Sequence, residues 1–263
     1  MSSENFFVRM GFADSDVCKI AFGVVSDQGA RNYQEDCFGF SSHENEDVQK
    51  YGFTAVVADG MGGLSGGAKT SGYVVSSVLE MQKKRDLSSP VHAHLFRTLR
   101  EINSSILLKG MNGGSTAAAV MCLPEGIYWC TVGDSRVYLF RNGFLTLLSE
   151  DSDYLNRLIE KVISGEITYE EACKDPQKDA LAQYMGYKGE ITPDVNRKPL
   201  RPEVNDKLLI CSDGVYNALS AKELSGLLEA PADKAAVNIK KAVISKGYSN
   251  QDNFTAAVLG FIR

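Results

Sequence analysis

A six-residue apolar run that ends at an acid constrains this sequence more than any other feature. The run is Phe53–Ala58, and Asp59 and then five glycines within residues 60–67 follow it. An apolar, partly β-branched run bounded by glycines is typical of a buried strand that stops abruptly. Because glycines let the backbone turn tightly and come close to a ligand, Asp59 is expected at the end of a rigid strand, facing a metal or a phosphate.

Other interpretations of this stretch stay open. An Asp-Gly pair after a strand is most often only a turn. The glycines do not have the spacing of a dinucleotide-binding fingerprint, and no Gly-Lys-Ser/Thr sequence closes a phosphate-binding loop. The stretch alone therefore does not assign a function.

Length and charge limit the class of protein. The 263 residues, 44% of them hydrophobic, predict a single domain over residues 1–263. The net charge of −5 argues against nucleic acid or an anionic membrane as a partner. The sequence has no targeting pattern at its amino terminus and no apolar run of membrane-spanning length, so we expect a soluble, cytoplasmic protein, and a monomer.

Cysteine and histidine do not form a metal-binding pattern. The three histidines are remote from the acidic motifs, and His92 and His94 are expected to face solvent at the start of a helix. No Cys-x-x-Cys pair occurs, so buried free thiols are expected rather than disulfides or a zinc site. The six cysteines are Cys18, Cys37, Cys122, Cys130, Cys173 and Cys211.

Apolar periodicity predicts a chain rich in strands, with helices between them. Tight turns at 124–126 and 141–143 join neighbouring strands and predict an antiparallel sheet. Strands are predicted at 18–26, directly after Asp36, and at 53–58, 115–123, 127–132, 137–140, 144–148, 207–212 and 254–262. Helices are predicted at 65–85, 90–109, 221–228 and 232–245.

Residues 149–187 are polar and are interpreted as a helical insertion that covers an edge of the core. Helices are predicted at 153–163, after a capping box that begins at Thr168, and in a short stretch near 180–185.

One pattern recurs: an aspartate at a strand edge, beside glycine or asparagine in four of five cases. If the strands pack into two sheets, these acids can converge at one rim, where they repel each other unless cations neutralise them. Oxygen ligands without His or Cys favour Mg²⁺ or Mn²⁺. Two such ions would activate a bridging water for attack on phosphorus, and Arg31 could hold the phosphate oxygens. The five residues are Asp36, Asp59, Asp134, Asp213 and Asp252.

Together these motifs resemble the metal-dependent Ser/Thr protein phosphatases of the PPM, or type 2C, family, and most closely its bacterial branch. The resemblance spans residues 20–261. The motifs that carry it are Arg31-x-x-x-Glu35-Asp36, Asp59-Gly60-Met61-Gly62-Gly63, Gly114-Ser115-Thr116-Ala117, Gly133-Asp134-Ser135-Arg136, Ser212-Asp213-Gly214 and Asp252-Asn253-Phe254-Thr255.

The resemblance implies an α+β fold, a four-layer α-β-β-α sandwich of two antiparallel sheets flanked by helices. It implies hydrolysis of phosphoserine and phosphothreonine in proteins by direct attack of a water or hydroxide that bridges two Mn²⁺ or Mg²⁺ ions. The partners it implies are phosphoprotein substrates and an opposing Ser/Thr kinase. Residues 149–187 would be the family's mobile flap beside the substrate cleft.

Site roles also follow from the resemblance. Asp59 would bridge the two metals, and the carbonyl of Gly60 would join the second. The other implied roles are first-metal ligands at Asp213 and Asp252, metal binding at Asp36, action on metal-bound water at Asp36 and Glu35, phosphate binding at Arg31, and a weaker third metal at Asp134 with Asp213.

The chain departs from the family pattern in two places. Met61 stands where animal relatives have a histidine that is thought to protonate the leaving group, and methionine has no such proton. The flap has Asp151-Ser152 and the sequence 175–179 where bacterial relatives often have Asp-His-Ser and His-Pro-x-x-Asn. An alternative function is a catalytically silent phosphatase-like domain that binds a phosphoprotein or kinase as a regulator.

Overall fold

A computed structural model describes residues 7–10, 12, 19–63, 66–178 and 180–263. Three sequence predictions concern Cys18, Ser65 and Asp179, which lie outside these ranges. The strands are β1 Phe7–Arg9, β2 Lys19–Asp27, β3 Cys37–Phe40, β4 Phe53–Ala58, β5 Gly60–Met61, β6 Gly114–Ser115, β7 Ala117–Leu123, β8 Gly126–Val132, β9 Arg136–Arg141, β10 Phe144–Leu147, β11 Asp194–Val195, β12 Lys207–Cys211 and β13 Phe254–Ile262. The helices are α1 Asn45–Tyr51, α2 Gly66–Lys83, α3 Val91–Leu108, α4 Tyr154–Ile163, α5 Tyr169–Lys174, α6 Asp213–Tyr216, α7 Ala221–Leu227 and α8 Ala232–Ser245.

Two antiparallel sheets form the centre of the molecule. The six-stranded sheet has the order β1-β2-β13-β12-β9-β10, and the five-stranded sheet has the order β11-β8-β7-β4-β3. A two-stranded ribbon of β5 and β6 extends beyond the end of β4. The predicted α+β class with two antiparallel sheets is confirmed.

The apolar core lies in three layers. Phe53, Ala55 and Val57 of β4 face the other sheet, whereas Val56 and Ala58 face α2 and α3. This strand is buried on both faces, which is why its sequence is continuously apolar rather than alternating. A third cluster joins the outer face of the six-stranded sheet to α7 and α8. The layers therefore follow the predicted order of helix, sheet, sheet and helix.

Several local predictions need correction. His94 is only 8% exposed and lies on the buried face of α3, where burial, Arg85 and Arg97 lower its pKa. Leu107, whose helical spacing with Leu95 and Leu99 predicts that it lies on the same buried face, is exposed. Residues 180–185 form no helix, because Leu181 and Met185 make isolated strand bridges instead.

The other local predictions agree with the structure. Thr168 forms the predicted capping box with Glu171 at the start of α5. The five described cysteines are free thiols, and Cys122, Cys130 and Cys211 are buried. In the described part of the chain, no helix is both long and apolar enough to cross a membrane.

Candidate active site

A cavity of about 550 Å³ opens where the acid-bearing strand ends meet. Antiparallel pairing explains the convergence, since Cys211 at the end of β12 lies opposite Ala256 near the start of β13 and opposite Arg136 at the start of β9. The predicted residues that line the cavity are Arg31, Glu35, Asp59, Gly60, Asp134, Asp213 and Asp252. Asp36, the eighth predicted residue, is buried, and its charge raises the pKa of Asp59 and Asp213.

Asp59 is held by its backbone. Its N–H donates to Thr116 Oγ1 at 2.9 Å, and its carbonyl accepts from the Thr116 N–H at 2.8 Å. Thr116 Oγ1 also lies 2.6 Å from Ser135 Oγ, beside Asp134. Thr116 and Ser135 are buried hydroxyls that couple the acidic loop after β4 to the acidic loop that joins β8 to β9. Neither residue has a role in the sequence-based prediction, although both lie in motifs that carry the family resemblance.

Gly60 allows three segments to meet below the cavity. A Cβ at this position would lie 2.5 Å from the carbonyl oxygens of Glu35 and Gly67. Real Cβ atoms do not come this close to backbone oxygens, so a side chain would push the loop of Glu35 away from the end of β4.

Burial and mutual repulsion raise the pKa values of the aspartates in and beside the cavity. Burial raises the pKa of Asp36, Asp134 and Asp213 to about 6. Burial and the neighbouring carboxylates raise the pKa of Asp59 well above its usual value. A concentration of like charges in a partly dry pocket favours protonation or a bound cation.

Arg31 provides positive charge at the mouth of the cavity. Its Nη2 donates to Asp252 Oδ2 at 2.6 Å, and this bond is the main cause of a raised Arg31 pKa. The Arg31 side chain is 59% exposed, so the guanidinium is accessible to a ligand that enters the cavity.

The donor set fits hard divalent cations. Glu35 Oε1, Asp36 Oδ1 and Asp213 Oδ1 are buried and have no hydrogen-bond partner. Within the described ranges, no group of three or more His, Cys, Asp or Glu side chains is arranged so that it could hold a metal ion as it stands. The carboxylates instead share one cavity and repel each other, and a cation would satisfy the unpartnered oxygens as well as neutralise that repulsion.

A chain of hydrogen bonds surrounds Asp36. Ser212 Oγ donates to Asp36 Oδ2 at 2.7 Å and accepts from the Thr255 N–H at 2.9 Å. The Asp36 N–H donates to Gln34 Oε1 at 3.1 Å. Gln34 Nε2 and Thr255 Oγ1 both donate to Ser26 Oγ, at 2.8 and 3.0 Å. One carboxylate oxygen of Asp36 is thus fixed, while the other stays unpartnered.

Residues 149–187, which we call the flap, are attached to the rim of the cavity. Arg136 donates from Nε and Nη2 to Asp151, with the shortest bond at 2.6 Å, and its guanidinium lies 3.7 Å from the ring centre of Tyr216. Tyr216 Oη donates to the carbonyl of Asp134 at 3.0 Å. The Ser152 N–H donates to the carbonyl of Gly133 at 2.8 Å. The start of the flap is therefore bonded to the loop that carries Asp134.

The two ends of the flap pair with each other and with the ribbon below. Asp153 and Leu181 form an isolated antiparallel bridge, which we call the neck of the flap, and Leu181 lines the cavity. Met185 pairs with Ser115, whose other neighbour in the ribbon is Gly60. The flap thus lies beside the predicted metal-binding residues.

Named relatives are similar to this chain over most of its length. The serine/threonine phosphatase stp of Listeria monocytogenes is 31% identical over 241 residues, which cover 87% of this chain and 90% of that protein. The protein phosphatase PhpP of Streptococcus pneumoniae is 29% identical over 228 residues, 82% of this chain and 89% of its own.

Solved structures show the same fold. The S. agalactiae serine/threonine phosphatase superposes with a TM-score of 0.78 at 26% identity, covering 93% of this chain and 100% of that chain. The catalytic domain of PstP in complex with two manganese ions has a TM-score of 0.67 at 22% identity, covering 93% and 99%. The family model described as Protein phosphatase 2C matches residues 28–236. The chain belongs to the protein phosphatase 2C family, in its bacterial branch.

Proposed function

We propose that this protein removes phosphate from phosphoserine and phosphothreonine in proteins, using Mn²⁺ or Mg²⁺ held by the acids of the cavity. Serine/threonine phosphatase activity is the activity of its named relatives. One observation carries the assignment to this cavity. Buried, mutually repelling carboxylates with unpartnered oxygens converge beside an exposed arginine.

The proposed ligands are the acids at the strand ends. Asp59 and the carbonyl of Gly60 would hold one ion, and Asp59 with Asp213 and Asp252 the other, while Asp134 with Asp213 would form a weaker third site. The two manganese ions in the PstP structure support a pair of ions. Bound there, the ions would supply Lewis-acid activation of water and neutralise charge on the phosphoryl group.

The side chains of the protein would orient the substrate and accept protons. Arg31 would bind the phosphate oxygens, since a guanidinium matches their geometry with paired N–H donors. Glu35 Oε1 and Asp36 Oδ1, both unpartnered, would accept protons from the attacking water. Met61 lines the cavity without a proton to donate, so the leaving oxygen must take its proton from water or from another group.

The same proposal covers the rest of the sequence-based expectation. The chain would act as one domain over residues 1–263, with residues 149–187 as a flap beside the substrate. It would act in the cytoplasm, as a monomer, against an opposing Ser/Thr kinase.

Hydrolysis of a phosphothreonine peptide with manganese, with chelator and with Asp59→Asn tests the proposal. We expect Asp59→Asn to lower kcat/KM at least about a hundredfold, because even a group that only orients a metal ligand is worth 10–100-fold. The control is Glu80→Gln, an exposed acid on α2 that pairs with Lys84. Activity that survives both chelation and Asp59→Asn would falsify the proposal, and a wild-type protein that binds no divalent ion by calorimetry would favour the silent regulator.

A further inference from the structure

Asn253 lies where the loop that carries Arg31 meets the loop that carries Asp252. Its side chain is well buried, and the residue is 5% exposed. Asn253 Oδ1 accepts from the Glu35 N–H at 2.8 Å. Asn253 Nδ2 donates to the carbonyls of Gln28 and Tyr33, at 2.8 and 2.9 Å. One amide group therefore binds the Arg31 loop (residues 28–35) at its first residue, at Tyr33 and at its last residue.

Backbone contacts seat the same loop on residues 251–253. The Ala30 N–H donates to the carbonyl of Gln251 at 2.8 Å. Gly29 has a φ of +61°, and a Cβ there would overlap the carbonyl oxygen of Asp252. Only glycine tolerates both the positive φ and the close approach of the Asp252 carbonyl oxygen. The loop is thus fitted closely to the segment that contains Asn253.

The Arg31 side chain is far less constrained than its backbone. It is 59% exposed and is bonded to Asp252, a surface-accessible partner with an exposed fraction of 38%. An exposed ion pair contributes little to the placement of a long side chain. The position from which Arg31 reaches into the cavity is therefore set by its loop, and the loop is set by Asn253.

Asn253 also borders the cavity, but its amide is already committed. Both N–H groups of Nδ2 can be donated once each, and the two carbonyls take them. The amide has no further hydrogen to offer a phosphate. Its contribution to substrate binding must therefore pass through the loop that it holds.

We propose that Asn253 is a positioning residue that sets the phosphate affinity of Arg31 by fixing residues 28–35. This inference rests on the proposed phosphatase function and on Arg31 as its phosphate-binding residue. Removing the amide releases backbone groups at Gln28, Tyr33 and Glu35 together. A reacting group that is displaced by about 1 Å can lose on the order of a hundredfold in rate, so a substantial loss is expected from an indirect change.

A double-mutant cycle on the manganese-loaded enzyme tests the coupling, with inorganic phosphate as the competitive probe. Asn253→Ala should raise the inhibition constant for phosphate about tenfold, within the range that misplacement of a binding group produces. In an Arg31→Ala background, Asn253→Ala should raise it little further, because residues that act through one another are not additive. Additive effects of the two substitutions would overturn the inference, and so would an unchanged constant for Asn253→Ala.

The chain offers a matched control at Asn196. Its Oδ1 accepts from the Trp129 N–H at 2.7 Å, and its Nδ2 donates to the carbonyls of Ile127 and Lys198, at 3.1 and 2.7 Å. Asn196→Ala thus removes the same three types of bond away from the cavity. It should lower the thermal unfolding temperature as Asn253→Ala does, while the phosphate inhibition constant stays at the wild-type value.

Two further measurements separate this inference from the proposed function. In metal-free protein, Asn253→Ala should speed hydrogen exchange at the amides of Ala30 and Glu35. Manganese affinity by calorimetry should fall less than the 10–100-fold that follows loss of a group bound to a metal ligand. Slow exchange at both amides in Asn253→Ala would overturn the inference.

If Asn253→Ala does not fold, Asn253→Asp replaces it in the same double-mutant cycle. This variant keeps the bond to Glu35 but loses both donations, to the carbonyls of Gln28 and Tyr33. An inactive wild-type protein would instead defeat the proposed function.

Discussion

The rim of the cavity and the flap are built in opposite ways. At the rim, buried side chains such as Thr116, Ser212 and Asn253 bond loops that are far apart in sequence. In the flap, α5 buries only Ala172 among its six residues, and attachment is concentrated at the ends of the segment. The contrast indicates that the groups proposed to carry out the chemistry are fixed by many bonds, while the flap, proposed to lie beside the substrate, depends on a few.

Ser212→Ala tests the rim where its effect should be largest. Loss of the hydroxyl frees Asp36 Oδ2. Because Asp36 is expected to act on metal-bound water, manganese affinity measured by calorimetry should fall about 10–100-fold, as it does when other groups around a metal site lose their hydrogen-bond partners. Ser149→Ala is the control, since buried Ser149 Oγ also accepts a backbone N–H, from Val137 at 3.0 Å. If the two variants bind manganese equally well, Ser212 contributes no more to metal binding than the buried Ser149 does, and the prediction is wrong.

Asp151→Asn tests the attachment of the flap. Loss of one partner of the Arg136–Asp151 pair should cost about 3 kcal/mol of unfolding free energy and raise KM for a phosphopeptide severalfold. A small aryl phosphate, too short to reach the flap beyond its neck, should keep its KM.

The control for this variant is Asp206→Asn, which breaks the similar Arg141–Asp206 pair at the other end of β9. It should destabilise the protein comparably without a preference between substrates. A phosphopeptide KM that rises equally in both variants would mean that stability, rather than flap position, is measured.

The pH dependence of stability tests the electrostatic strain of the rim. In the folded chain, burial raises the pKa of Asp213 to about 6 from 3.8, so the folded state holds a proton that the unfolded state has lost between these values. Stability in chelator should therefore fall as pH rises from about 4 to about 6, by up to about 1.4 kcal/mol for each pH unit. Urea unfolding should show a smaller fall for Asp213→Asn, and an unchanged slope in that variant would contradict this account.

The smallest expected effect concerns the capping box of α5. Thr168→Ala removes the hydroxyl that accepts the Glu171 N–H at 3.2 Å, and hydrogen exchange in α5 should become about fivefold faster. Activity toward a small aryl phosphate should not change. Ser220→Ala, at the matching capping box of α7, should act on that helix alone. Faster exchange at the rim in Thr168→Ala would show that the flap and the rim are not independent.

The parts of the fold that could be predicted are those specified by local sequence. The bounds of β4, α8 and β13 match the predicted ones, because each element is an apolar pattern ended by glycine, proline or polar residues. Helix α1 could not be predicted, since it is polar and is held by buried Val48. The stretch 180–185 was wrongly predicted as helical because its bridges are to residues 153 and 115, which no local pattern reveals.

The candidate site could also be predicted only in part. Its acids are recognisable because aspartate beside glycine at a strand end recurs, and the family resemblance orders them. The groups that hold them were not found, since a serine, threonine or asparagine in a loop looks like an ordinary turn residue. The bond from Glu35 to Asn253 spans 218 positions, and such a pairing exists only once the sheet has assembled.

The neck formed by Asp153 and Leu181 has an evolutionary consequence. Because the chain leaves and returns at adjacent points, the ends of the intervening segment are joined independently of its length, and longer loops add little closure entropy. Helices between these residues can be lengthened, shortened or exchanged while Asp134 and Gly60 keep their places. Selection can therefore change the segment that is proposed to face the substrate without rebuilding the residues that are proposed to perform the chemistry.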